Sequence, residues 1–240
     1  MQKLPLWVRK ALANGVHLFT ATGAVWGFLT LIAIWEQNFK LAIVYVVVAM
    51  FVDGFDGILA RWLDVKTYAK GIDGGLLDNI IDYLNYVIVA SLLMIKVPGL
   101  LPHGFEMAAA ISILLTSGFQ FSQTDAKTDA QFYFFKGFPS VWNFLVIYMM
   151  LLRLNPWINL TAVVICNILI FVPVKYLYPT RNTRLRRLTL GFTYLYGAVG
   201  VWGLLQYPNV PEWVAPASFV YVTYYALLSF FPKIGMAESA

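Results

Sequence analysis

The sequence predicts an all-α fold: a polytopic membrane helix bundle of about eight transmembrane helices, with an N-terminal amphipathic helix at the membrane interface. Three observations carry that prediction. Sixty per cent of the 240 residues are apolar or aromatic and only 12% are charged, against about 25% charged in an ordinary soluble domain. The apolar residues gather in runs near the roughly 20 residues that an α-helix needs to cross a bilayer core. Polar connectors separate the runs and hold most of the Lys and Arg residues. One bundle accounts for residues 1–240, so a single domain is expected.

Taken in order, Trp7, Val8, Ala11 and Leu12 recur at helical spacing opposite Lys3, Arg9 and Lys10, the pattern of a short helix in the headgroup region. The amino terminus lacks a cleavable leader pattern and is read as retained. The first spanning helix covers about 15–35 and carries His17, Thr20, Thr22 and Gly23. His17, alone near a helix end, reads as packed or interfacial rather than as a ligand. The second helix covers about 41–61, and the polar stretch WLDVKTYAKGID follows it. The third starts at 73 or 74 and reaches Lys96. The fourth covers about 105–121, the fifth ends near Arg153, and the sixth covers about 158–175, where Pro173 should distort its end. The seventh and eighth cover about 188–206 and 214–231. Cys166 is the only cysteine and lies in an apolar run, which excludes an intramolecular disulfide and a dithiol redox motif.

The net charge of +5 does not point to nucleic acid, because the basic residues lie between hydrophobic runs and form no continuous surface. They report orientation instead. Eight crossings put both termini on one side, and of the 17 Lys and Arg residues all but Lys40, Lys96 and Arg153 fall on that side. By the positive-inside rule it is cytoplasmic.

The stretch from Asp53 to Asp82 holds most of the chemistry. Asp53, Asp56, Gly57 and Ala60 follow i, i+3, i+4, i+7, and Gly74, Asp78 and Asp82 follow i, i+4, i+8, with Asn85 a turn further on. Each set shares one helical face, at the cytoplasmic ends of helices two and three. Charges in a membrane segment are expensive and mark functional sites by default. Carboxylate oxygens suit Mg²⁺ or Mn²⁺, ions typically shared with phosphate oxygens, and small neighbours leave room for a bulky ligand. A nucleotide diphosphate satisfies both. The competing explanations are close helix packing by the small residues and neutralisation of the aspartates by Arg61, Lys66 or Lys70. Asp64 and Asp73 lie off these faces; Asp73 is placed to cap the third helix.

The pattern Asp53-x2-Asp56-Gly57-x2-Ala60-Arg61-x12-Gly74-x3-Asp78-x3-Asp82 resembles the signature of the CDP-alcohol phosphotransferases. The twelve residues between Arg61 and Gly74 resemble the bacterial branch of that family that forms phosphatidylcholine. The resemblance implies attack of choline on the β-phosphorus of CDP-diacylglycerol, with Mn²⁺ (or Mg²⁺) as cofactor and a homodimer in the bacterial cytoplasmic membrane. It implies that Asp53, Asp56, Asp78 and Asp82 ligate metal and that Asp82 is also the general base. Gly57, Ala60, Arg61 and Gly74 would then bind CDP-diacylglycerol. Candidates for lining choline or phosphate are Tyr83, Tyr86, Lys136 and Tyr194; Phe132, Tyr133, Trp142 and Tyr196 are further aromatics beside the connectors or on helix seven. Phe135-Lys136-Gly137-Phe138-Pro139-Ser140 resembles a segment of related phosphatidylserine synthases, and Arg181, Arg184, Arg186 and Arg187 are expected on anionic lipid headgroups. Serine or inositol phosphate as acceptor, and a cation transporter gated by the aspartates, are the alternatives.

Overall fold

A computed structural model describes residues 4–123, 134–172, 175–177 and 186–230. Lys3, Phe132, Tyr133, Pro173, Arg181 and Arg184 lie outside the described residues, as do the side chains of Lys136 and Arg186. Among the described residues, eight helical rods occupy the expected positions. Helix α1 (Leu6–Trp35) and helix α2 (Phe39–Trp62) form a hairpin turned by Gln37 at φ 58°. The Asn38 side chain starts α2 by accepting from the Leu41 amide at 3.2 Å. Helix α3 (Val65–Tyr68) is a single turn, and a rod over Gly74–Lys96 follows, made of α4 (Gly74–Asp82), a π-helical segment (Tyr83–Ile88) and α5 (Val89–Lys96). Helices α6 (Glu106–Phe121), α7 (Trp142–Leu152), α8 (Pro156–Phe171), α9 (Arg186–Leu205) and α10 (Val214–Phe230) complete the bundle.

Among the described residues, four rods are long and apolar enough to cross a membrane: 6–35, 39–62, 74–96 and 187–205. The other four are apolar but shorter. Leu18, Leu115, Phe119, Ile168 and Val220 stand exposed on the perimeter. Such a surface is unfavourable in water and favourable against lipid.

The amphipathic segment is the beginning of α1 rather than a separate element. At 30 residues α1 is roughly 45 Å long, well beyond a hydrocarbon core of about 30 Å. Nothing between Pro5 and Trp35 breaks it, because the Asn14 amide bonds back to the Lys10 carbonyl at 2.8 Å instead of competing for a turn. Tertiary contact holds the overhang as well. Ala13 and Val16 are buried against Leu63, Val65 and Ala69, and the Arg9 guanidinium donates to the Tyr68 hydroxyl at 3.0 Å and lies over its ring.

The main core is formed where α1, α2, the α5 rod, α6 and α7 meet, with Ile34, Val87, Met94, Ile113, Trp142 and Val146 fully buried. An unexpected two-stranded antiparallel pair, β1 (Phe134–Lys136) and β2 (Lys175–Leu177), places Phe135 opposite Tyr176. The chain after β1 cannot be helical, since Gly137 at φ 81° and Ser140 at φ 52° flank Pro139. A Cβ on Gly137 would lie 2.3 Å from the Ile170 carbonyl oxygen, so that strap is pressed against the end of α8. Gln120 on α6 fixes it by donating to the Phe138 carbonyl at 2.5 Å and accepting from the Ser140 hydroxyl. Helix α7 therefore starts only at Trp142, whose indole N–H donates to Ser117 at 2.7 Å.

Candidate active site

Helix α2 delivers Asp53 and Asp56 from its last third, and α4 delivers Asp78 and Asp82. One carboxylate oxygen from each of Asp53, Asp78 and Asp82 lies within 4.8 Å of the others, and all three residues are half-buried. Asp78 and Asp82 thus share a side of α4, whose first residue is Gly74. Asp73 caps it by accepting from the Gly75 and Leu76 amides at 3.0 and 3.1 Å.

Asp56 stands outside the three-carboxylate group. It is 8% exposed and turned toward α1, where the Thr20 side chain hydrogen-bonds to it, although it still feels the charges of Asp53 and Asp78. Thr20 belongs to one face of α1 with Gly23 and Gly27, and that face receives the α4 rod. A Cβ on Gly23 would lie 2.7 Å from Ile81, and one on Gly27 would lie 2.6 Å from the Asn85 oxygen and 2.9 Å from Leu84. Small residues four apart let membrane helices approach this closely. Gly27 and the closeness it permits are not readable from the aspartate pattern.

The π-helical segment begins directly after Asp82. Its wide turn carries one extra residue, which rotates the following side chains by about 100° relative to an uninterrupted α-helix. Asn85 supports the widened turn by donating to the Ile81 carbonyl and to the Gly23 carbonyl of α1, both at 3.1 Å. Tyr86 then reaches across to α2 and donates to Asp53 Oδ2 at 2.6 Å. Beside these groups a small cavity is lined by Asp53, Asp82, Asn85, Tyr86, Asn143 and the apolar Val46, Ala49 and Met50.

Residues 10–174 match the family model described as CDP-alcohol phosphatidyltransferase. The chain belongs to this family. It is 38% identical over 222 residues to a Legionella pneumophila protein named phosphatidylcholine synthase, covering 90% of this chain and 86% of that one. It is 39% identical over 178 residues to the protein of the same name from Borreliella burgdorferi (74% and 75%), and 34% identical over 230 residues to that of Rhizobium meliloti (94% and 94%).

In this CDP-alcohol phosphatidyltransferase the three clustered carboxylates could hold a divalent ion. Metal–oxygen bonds of about 2.0–2.1 Å put the ligands of one octahedral ion at most about 4.2 Å apart. At least two of the three pairs must be neighbours on the octahedron, about 2.9 Å apart, so oxygens within 4.8 Å of one another would close by up to about 2 Å, within reach of side-chain rotation. Three half-buried carboxylates crowded together also call for a compensating cation.

The remaining candidates separate. Arg61 is exposed and folds back over Gly57, where a Cβ would meet Nη1 at 3.3 Å. Ala60 packs into the cluster formed by Ala13, Val16, Leu63, Val65 and Ala69. The space opened by Gly74 is filled by His17, whose Cε1 is 2.9 Å from where a Cβ would stand. Of the three whose side chains are described among the residues proposed to line choline or phosphate, Tyr86 borders the cavity beside Asp82 and Tyr83 and Tyr194 do not. Tyr83 donates to the Leu114 carbonyl at 2.8 Å with its ring edge-on to Phe121, and Tyr194 is 69% exposed on α9. Lys136 is placed by its backbone alone, in β1 opposite Lys175.

Proposed function

We propose that this chain transfers the phosphatidyl group of CDP-diacylglycerol to choline, giving phosphatidylcholine and CMP. The observation that carries the reading is the convergence of Asp53, Asp78 and Asp82 from two helices, in a chain similar over most of its length to proteins named phosphatidylcholine synthase. Asp53, Asp78 and Asp82 hold the ion, with Asp56 contributing from the α1 side. A bound Mn²⁺ or Mg²⁺ offsets charge on the diphosphate and favours departure of CMP.

The chain's own groups supply the rest. Asp82 accepts the choline hydroxyl proton as the choline oxygen bonds to the β-phosphorus and the bond from that phosphorus to the oxygen retained by CMP breaks. A choline hydroxyl is far too weak an acid to ionise beforehand, so proton transfer and attack are concerted. Tyr86 holds Asp53 against rotation through its 2.6 Å bond. Gly57, exposed Arg61 and the start of α4 border the nucleotide side of the site.

Choline as acceptor is favoured by the similarity to proteins named phosphatidylcholine synthase and by the groups around Asp82, which are two carboxylates, two amides, a phenol and no cation among the described residues. The Tyr86 ring, stacked on Phe144 with centroids 6.4 Å apart, offers a face to a quaternary ammonium. Purified protein incubated with CDP-diacylglycerol, Mn²⁺ and a panel of alcohols should yield phosphatidylcholine and CMP; no lipid product from choline would remove the reading.

We place the enzyme in the bacterial cytoplasmic membrane with its carboxylates and both termini inside, which the distribution of Lys and Arg supports. One domain is favoured because α9 and α10, beyond the family match, join α7 through Tyr148, which hydrogen-bonds Tyr196 at 3.2 Å and Ser218 at 2.7 Å. The family resemblance also implies a homodimer, checked by sedimentation in detergent.

A further inference from the structure

His17 is 6% exposed, and its Nε2 has no hydrogen-bond partner among the described residues. A buried ring nitrogen left unpaired is costly, and a native structure seldom tolerates one without a ligand, ion or water to meet it. The ring is not loosely accommodated. Its Cε1 and Nδ1 lie 2.9 and 3.4 Å from the position a Gly74 Cβ would take, so the missing side chain of Gly74 is what admits it. His17 also precedes Thr20 by three residues on α1, and Thr20 holds Asp56. The imidazole therefore shares a helical face with a group already engaged in the site, and it abuts the first residue of the helix that carries Asp78 and Asp82.

We propose that His17 is a nucleotide-contacting residue whose Nε2 hydrogen-bonds the ribose-diphosphate portion of the CDP moiety. The inference rests on the reading of the site as one for CDP-diacylglycerol. His17 meets α4 at Gly74, one turn before Asp78, whereas the cavity beside Asp82 opens toward Val46, Ala49 and Asn143, farther along the helices. A trimethylammonium group neither donates nor accepts a hydrogen bond, and the single hydroxyl of choline is committed to the base. Ribose hydroxyls and phosphate oxygens are what a lone imidazole nitrogen can pair with. Gly74 then acts through His17: it leaves space for the side chain that touches the nucleotide.

The test is calorimetric titration of purified protein with cytidine 5′-diphosphate in the presence of Mn²⁺, on wild type, His17→Phe and His17→Gln, alongside melting temperatures and KM values for both substrates. Loss of one hydrogen bond should weaken CDP binding about tenfold in His17→Phe and raise KM for CDP-diacylglycerol similarly, with KM for choline unchanged. His17→Gln, which restores a polar group, should recover most of the affinity. Unchanged CDP affinity in His17→Phe would overturn the proposal. Equal losses in both variants with lowered melting temperatures would overturn it too, assigning His17 to packing. Wild-type protein that binds no CDP would sink the reading of the whole site, whereas transfer to an alcohol other than choline would refute the acceptor assignment alone.

Discussion

Gly27→Ala is a sharp probe of how α1 positions the site. The added Cβ would stand 2.9 Å from Leu84 Cδ2 and 2.6 Å from Asn85 Oδ1, and a relaxed carbon–carbon contact needs about 3.5 Å. The π-helical segment must therefore withdraw by roughly 0.6 Å or the Asn85 amide must leave its bond to Gly23. Overpacking of this kind costs about 1–3 kcal/mol, against about 1 kcal/mol regained from the better helix propensity of Ala. Gly15→Ala in the same helix meets nothing within 4 Å and keeps only the gain. The two variants should thus differ in stability by about 1–3 kcal/mol, measured by thermal or denaturant unfolding in detergent. Asp82 and Tyr86 flank the displaced turns, and a misplacement of about 1 Å can cost a hundredfold in rate. CMP release by Gly27→Ala should accordingly fall about tenfold or more while Gly15→Ala stays near wild type. Wild-type kcat and melting temperature for Gly27→Ala would show that α1 does not set the position of these residues.

Three further outcomes are expected. Tyr86→Phe removes a hydrogen bond to a charged acceptor, worth about 1.5–3 kcal/mol, so kcat should drop roughly ten- to a hundredfold with the Mn²⁺ half-activation concentration raised; an unchanged metal titration would argue against Tyr86 steadying Asp53. Asp82→Asn should abolish turnover while CDP-diacylglycerol binding survives in part, and full activity of that variant would rule out Asp82 as base. Asp53→Asn should raise the Mn²⁺ requirement more than Asp56→Asn, because Asp56 lies outside the three-carboxylate group; the opposite order, read from Mn²⁺ titrations of CMP release, would return Asp56 to the first rank of ligands.

Periodicity alone located the rods and the two carboxylate faces, since spacing along one helix decides which side chains share a side. It could not say that Asp56 stays outside the group formed by the other three, because its partner Thr20 lies on a different helix. The π-helical segment was equally hidden: Asn85 widens the turn only because Gly23 offers a carbonyl across the helix interface. Likewise, Gly137-Phe138-Pro139-Ser140 announced a break but not its cause, which is a strap held by Gln120 and wedged against Ile170. His17 reads in sequence as a packed residue. That is true of its ring, and only the unmet nitrogen shows that packing is not the whole account.

The polar stretch between the two aspartate-bearing helices has a mechanical meaning. Fully extended, the eleven residues 63–73 could separate the end of α2 from the start of α4 by about 40 Å. Instead Val65 and Ala69 are buried against the overhang of α1, and Arg9 grips Tyr68. Chain that is clasped at its middle no longer behaves as slack. It works as a gauge block, setting how far apart the two carboxylate faces stand, and the first helix, which donates no carboxylate, is the member against which that distance is measured.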